Sequence, residues 1–244
     1  MSDRPQKKQL VKRQFKPFFI SILLAGIALG YSYTSVAESE ISPTDSSEES
    51  ESIPEPSPTT ESVNEYRSFM DWCLNREKLS PAARRTLSVV LQQAGTFNCA
   101  RASENITNLA QLDLSTSQIS DISPLQSLTT ITRLKLINNQ ITDITPLKSL
   151  TNLTELNLSY NQVEDVTPLQ SLENLNLLNL SYNQVEDVTP LQSLKKLNEL
   201  NLNSNQVTDI SPLQPLDRLT YLFVRNNPIA DETCPVRPKY ICQF

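Results

Sequence analysis

The stretch NLSYNQVEDVTPLQSL fills residues 157–172 and recurs, identical in all sixteen positions, at residues 179–194, an offset of 22. No other feature restricts the fold so strongly, because self-similarity at a period of roughly 20–50 residues is the signature of a stacked repeat architecture. On a 22-residue ruler the frame L-x-x-L-x-L-x-x-N-x-[IV]-x-D-[IV]-[ST]-P-L-x-x-L runs from Leu109 to about Ile229. One column reads Leu109, Ile131, Leu153, Leu175, Leu197, Leu219, and another Leu114, Leu136, Leu158, Leu180, Leu202, Val224. Prolines 124, 146, 168, 190 and 212 keep the same time. Six turns of one unit are present, two of them near-copies of each other.

Each unit translates into local structure. Leu-x-Leu alternates with period two, so it reads as a short strand with its leucines on one side. One such strand cannot bury that side alone, and stacked neighbours supply the continuous core. The column Asn139, Asn161, Asn183, Asn205, Asn227 falls where the chain leaves the strand, and Ser117 replaces it in the first turn. An asparagine there can bond backbone groups of its own and adjacent turns that would be costly to bury unpaired. The following Ser/Thr-Pro pairs, such as Ser123-Pro124, read as N-cap and first residue of a short helical turn.

These residues resemble the 22-residue leucine-rich repeats of the bacterial internalin-like class, over about half the chain. The resemblance implies an α/β architecture: a curved leucine-rich repeat solenoid with parallel β-strands on its concave face, which in that class binds another macromolecule. It does not name the partner.

Upstream, "EYRSFMDWCLNREK" puts Tyr66, Phe69, Met70 and Cys73 on one helical face, and Ser80-Pro81 starts a second helix with Leu87, Val90, Leu91 and Ala94 inward and Gly95 as its stop. Residues 63–104 are therefore expected to form a helical N-terminal cap, residues 105–227 the repeats, and residues 228–244 a short C-terminal cap. Of three possible cysteine connectivities, Cys73–Cys99 and Cys234–Cys242 are expected, since each pair flanks one end of the solenoid. A metal site is not expected: the thiols are too far apart to converge and the chain has no histidine. The aspartates 121, 143, 165, 187, 209 and 231 form a ladder that either accepts turn N–H groups or collects Ca²⁺, the former being the expectation.

Residues 1–37 read as an export signal: a basic stretch from Arg4 to Lys16, a twelve-residue apolar run from Phe18 to Leu29, and Ser35-Val36-Ala37 as a small-x-small cleavage site. The alternative is an uncleaved single-pass membrane anchor holding the repeats outside the cytoplasm. Residues 38–62 hold eight acidic and no basic residues amid Ser and Pro, a composition that reads as a disordered linker. Without the leader's six basic and one acidic residue the net charge of −6 becomes −11, and eight of those charges lie in the linker. The acidic balance thus describes the tether more than the repeats, and no basic stripe exists to bind nucleic acid.

Three solvent-facing columns define the candidate ligand strip: Gln111, Arg133, Glu155, Leu177, Glu199, Tyr221; Asp113, Lys135, Asn157, Asn179, Asn201, Phe223; and Ser115, Ile137, Ser159, Ser181, Asn203, Arg225. Tyr221, Phe223 and Arg225 combine two aromatics with an arginine, the chemistry of interface hot spots, unless they tuck under the C-terminal cap. Leu177 is apolar on a polar face and lies between Tyr160 and Tyr182. Arg133, Lys135, Ile137, Glu155 and Glu199 complete the expected surface. Nothing assembles an acid, base and nucleophile in a sequestered pocket, so no enzyme and no cofactor are expected. The sequence reads as an exported module binding a protein or peptide; the alternative is a structural envelope protein that self-associates or binds wall glycan.

Overall fold

The computed structural model describes residues 66–244; the leader at 1–37 and the acidic linker at 38–62 lie outside the described residues. Among the described residues no helix is long and apolar enough to cross a membrane. The chain begins with three helices, α1 (Phe69–Leu74), α2 (Pro81–Gln93) and α3 (Cys99–Thr107), followed by strands β1 (Gln111–Asp113), β2 (Arg133–Lys135), β3 (Glu155–Asn157), β4 (Leu177–Asn179), β5 (Glu199–Asn201), β6 (Tyr221–Phe223) and β7 (Cys242–Gln243). All seven pair in parallel, in sequence order, as one open sheet.

The register follows the 22-residue ruler. Leu112, Leu134, Leu156, Leu178, Leu200 and Leu222 are direct neighbours across β1–β6, and each is buried. Behind the sheet run five 3₁₀ turns, at Ser123–Ser127, Thr145–Ser149, Thr167–Ser171, Thr189–Ser193 and Ser211–Leu213. In the third turn Leu153, Leu156, Leu158, Val163, Val166, Leu169 and Leu172 are all essentially inaccessible. Burial of each such side chain stabilises by roughly 1.5–3 kcal/mol, and most of it is realised only against the neighbouring turns.

The asparagine column closes the backbone accounting. Asn183 Nδ2 donates to the carbonyls of Leu158 and Leu180, both at 2.9 Å, and its Oδ1 accepts from Val163 N–H at 3.0 Å. Asn139, Asn161, Asn205 and Asn227 repeat the pattern. Each asparagine therefore staples its own turn to the one before it. The residue preceding each column position adopts a left-handed backbone: Thr116, Asn138, Tyr160, Tyr182, Ser204 and Asn226 have φ between 53° and 58°. None of them is glycine, the residue that takes this conformation without a Cβ penalty.

The helical turns depart from the sequence reading in one respect. The Ser/Thr of each Ser/Thr-Pro pair is the first 3₁₀ residue, not the cap. The aspartate two residues earlier takes the capping role: Asp121, Asp143, Asp165, Asp187 and Asp209 each accept the N–H of that Ser/Thr at 2.8–2.9 Å. A carboxylate reaching its own backbone two residues on is an Asx turn, and it competes well with a hydroxyl cap. Among the described residues no group of three metal-ligating side chains comes together.

Helices α1 and α2 pack against the first 3₁₀ turn, Ser123–Ser127, and α3 packs on α1. Ser68 and Asp71 form a reciprocal capping box on α1, and Ser80 caps α2 ahead of Pro81. Helix α2 ends in Gly95 at φ +71°, with Thr96 N–H bonded to Leu91 O and Gly95 N–H to Gln92 O, the Schellman arrangement. Buried Thr86 ties α2 to the first repeat by donating to Asp121 O at 2.6 Å. Helix α3, which the sequence reading did not foresee, is capped by Asn98 and packs Ala102 and Ile106 inward. In α1, Trp72 is buried and Met70 is half-buried. Disulfides join Cys73 to Cys99, between α1 and α3, and Cys234 to Cys242, at the last strand.

Candidate functional site: the solvent face of the sheet

Residues before and after each central leucine point away from the core, so the strands place the three candidate columns side by side at the usual parallel-strand spacing of about 4.8 Å. Gln111, Arg133, Glu155, Leu177, Glu199 and Tyr221 are consecutive neighbours in register, as are Asp113, Lys135, Asn157, Asn179, Asn201 and Phe223. Arg133 and Lys135 are exposed; Glu155, Leu177, Glu199 and Ile137 are half-buried. Arg133 Nε meets Glu155 Oε1 at 3.0 Å, an exposed pair of small energetic worth. Leu177 lies between the carboxylate-bearing Glu155 and Glu199.

At the C-terminal end Tyr221 remains 52 % exposed, and Phe223 is half-buried opposite Gln243 of β7. The two rings lie nearly parallel, 6.2 Å between centroids. Arg225 is exposed, and its backbone N–H is fixed by Asn203 Oδ1 at 2.7 Å. The C-terminal strand therefore flanks this group without covering Tyr221.

The third column behaves differently from the expectation of a solvent-facing row: Ser159 and Ser181 are buried. Each donates both its N–H and its hydroxyl to the asparagine two residues earlier, Ser159 to Asn157 at 3.0 and 2.7 Å and Ser181 to Asn179 at 2.9 and 2.7 Å. Asn201 Oδ1 accepts from Asn203 N–H in the same way. With each amide oxygen held toward its own turn, the amide NH₂ groups of Asn157, Asn179 and Asn201 face outward as a row of donors. Asp113 makes the same turn in the first repeat, so the local bond requires an acceptor but not an NH₂ group.

Sequence reasoning missed the relation between the two tyrosines of the duplicated segment. Tyr160 and Tyr182 stack 4.2 Å apart at an interplanar angle of 9°, each about half exposed. The Tyr182 hydroxyl beside it raises the pKa of Tyr160 above its ordinary 10.0. Both occupy the left-handed position, where the other turns carry Thr, Asn or Ser. Their spacing of 22 residues was the available signal.

A depression of about 570 Å³, lined by Glu164, Asp165, Gln184, Glu186 and Asp187 among others, lies over the loops rather than the strand face. Its aspartates are engaged with turn N–H groups, as described above. A second groove, of about 460 Å³, adjoins Tyr221 at the C-terminal end of the sheet.

With this geometry in place, comparison with known proteins fixes the class. The model of the family described as leucine-rich repeats (two copies) matches residues 107–149, 129–171, 173–215 and 195–234, more than half of the chain, and the chain belongs to that family. Within it the chain is of the bacterial internalin-like kind. It is 39 % identical to an internalin, InlF, of Listeria monocytogenes, covering 52 % of this chain and 38 % of that one at a TM-score of 0.51. A leucine-rich repeat protein of Leptospira interrogans is 31 % identical over 52 % of this chain and 34 % of its own, at a TM-score of 0.50. Internalin C2 of Listeria monocytogenes is 32 % identical over 65 % of this chain and 90 % of its own, at a TM-score of 0.49. The chain thus spans less than two fifths of the length of InlF and of the Leptospira protein. Comparison with curated proteins gives no match.

Proposed function

We propose that the protein is an exported, non-enzymatic recognition module that binds a protein or peptide partner through the solvent face of its sheet. Leucine-rich repeats of the internalin type commonly serve protein–protein interaction. The observation that carries the reading to this chain is the C-terminal cluster, where Tyr221 and Arg225 stay exposed beside half-buried Phe223 on a rigid parallel sheet. Aromatic and arginine side chains are the ones that dominate interface energies, and a preformed sheet adds little backbone ordering to the cost of contact. The row of amide donors at Asn157, Asn179 and Asn201 would receive carbonyl or carboxylate oxygens of the partner, and half-buried Leu177 supplies an apolar contact beside it. The leader at 1–37 would carry the repeats out of the cytoplasm, and the linker at 38–62 would hold them away from the membrane if the leader stays uncleaved.

The test is cross-linking capture on intact cells, comparing wild type with the variant Tyr221→Ala, Phe223→Ala, Arg225→Ala after both are shown to fold. A partner captured by wild type and lost in the variant supports the reading. A partner retained equally moves the contact off the C-terminal strands. Mass determination of the mature N-terminus separates a cleaved leader from an anchor.

A further inference from the structure

The groove beside Tyr221 is built by parts of the chain that the strand-face reading does not use. Its floor and walls come from the loop before β6, contributing Asp217 and Arg218, and from the tail before β7, contributing Arg237 and Tyr240. Tyr221 and Gln243 close it from the sheet side. Tyr240 is 84 % exposed, more than any other exposed large hydrophobic side chain among the described residues. Among the described residues neither Arg218 nor Arg237 forms an ion pair with a carboxylate.

Two unpaired guanidinium groups and two tyrosines around one groove make a receptor for an anion attached to something apolar. The geometry points to this groove as the seat of an acidic segment of the partner protein, carrying carboxylates next to an apolar or aromatic side chain. Guanidinium forks bind carboxylates through paired N–H donors, and tyrosine rings pack against the apolar neighbour. A dense polyanion fits less well. Asp217 lines the same groove and opposes a compact multiply charged ion, and no basic stripe continues from it along the sheet. The groove opens beside Tyr221, so one ligand can occupy it and the strand face together. The inference rests on the strand-face reading, extending the contact beyond the sheet to a second, electrostatic anchor.

The test uses the full chain and a fluorescent peptide, acetyl-Glu-Leu-Glu-Leu-Glu-amide, followed by anisotropy at low ionic strength. A peptide with Gln in place of each Glu and a sulfated oligosaccharide of equal charge serve as comparators. Expected is binding of the Glu peptide, weakened at least tenfold by Arg218→Gln with Arg237→Gln and weakened also by Tyr240→Ala, with no binding of the Gln peptide. Both arginines are exposed, so unchanged thermal unfolding shows that the variants fold. Binding insensitive to the arginine change, absence of binding, or tighter binding of the sulfated oligosaccharide overturns the assignment. In the cellular capture, a partner lost in the Tyr221, Phe223 and Arg225 variant but unaffected by the arginine change overturns the groove and leaves the strand face standing.

Discussion

Replacing Asn183 with alanine tests the stapling role of the asparagine column at its centre. The residue is 8 % exposed, and its side chain bonds three partners in two turns at 2.9–3.0 Å, with a longer contact to Ser181 O at 3.3 Å. The carbonyls of Leu158 and Leu180 each keep a second donor, Asn161 and Asn205 respectively. Val163 N–H loses its acceptor in the core, at about 1–3 kcal/mol, and the two forfeited bonds add about 0.5–1.5 kcal/mol each before relaxation. Allowing for partial relaxation, the expected loss is about 2–4 kcal/mol. Asn227→Ala removes an equivalent set at the last turn, but that residue is half-exposed and water can replace the bonds, so about 1 kcal/mol is expected. Asn183→Asp should cost more than the alanine change, because it keeps the acceptor for Val163 yet turns a carboxylate oxygen toward two carbonyls in a buried site. The assay is urea unfolding of the full chain followed by far-ultraviolet circular dichroism. Equal losses at 183 and 227, or a loss below about 1 kcal/mol at 183, would refute the reasoning.

Other expectations follow from the ends and the surface. By chain entropy, opening Cys73–Cys99, 26 residues apart, should cost about 3.5 kcal/mol, and opening Cys234–Cys242, 8 apart, about 2.5 kcal/mol; urea titration of the paired Cys→Ala variants reads both. The Thr189 hydroxyl and the Thr189 N–H at 2.8 Å hold the Asp187 carboxyl below its ordinary 3.8. Its folded pKa is depressed, so its contribution to stability is full above pH 3.8 and is lost as pH falls through the lower folded value. Carbon-detected NMR titration should place the Asp187 midpoint below 3.8, and Thr189→Val should raise it. A double-mutant cycle on Arg133 and Glu155 should give a coupling of about 0.2–1 kcal/mol that shrinks with added salt; a larger, salt-insensitive value would show a buried pair where the structure has an exposed one.

The repeat was legible because its causes are periodic. Leu134 and Leu136, or Asn161 and Pro168, recur every 22 residues, and stacking forces the same burial on each copy. The first two solvent columns followed from strand alternation alone. What stayed hidden depended on backbone conformation or on contacts between distant segments. Glycine normally marks left-handed positions, but here Tyr160, Tyr182 and Ser204 occupy them, so the turns carried no glycine signal. The Ser/Thr-Pro pairs suggested hydroxyl caps, and the aspartates, held two residues upstream, took that role. Ser159 and Ser181 alternate outward like their neighbours but are drawn in by the asparagines they bond. Helix α3 has only Ala102 and Ile106 to announce an apolar side, too few to show a helical period. The groove near Tyr240 joins residues some twenty positions apart through a tail that breaks the repeat pattern, where periodicity offers no guide.

Site-specific photo-cross-linking in intact cells would show which face of the repeats meets the partner. A benzophenone amino acid would replace Leu177 or Tyr221 on the strand face, and Gln184 or Pro168 on the loop side in matched controls. One partner is expected to be trapped from positions 177 and 221 and not from 168 and 184. Trapping from the loop-side positions alone, or the chain cross-linking only to its own copies, would contradict it.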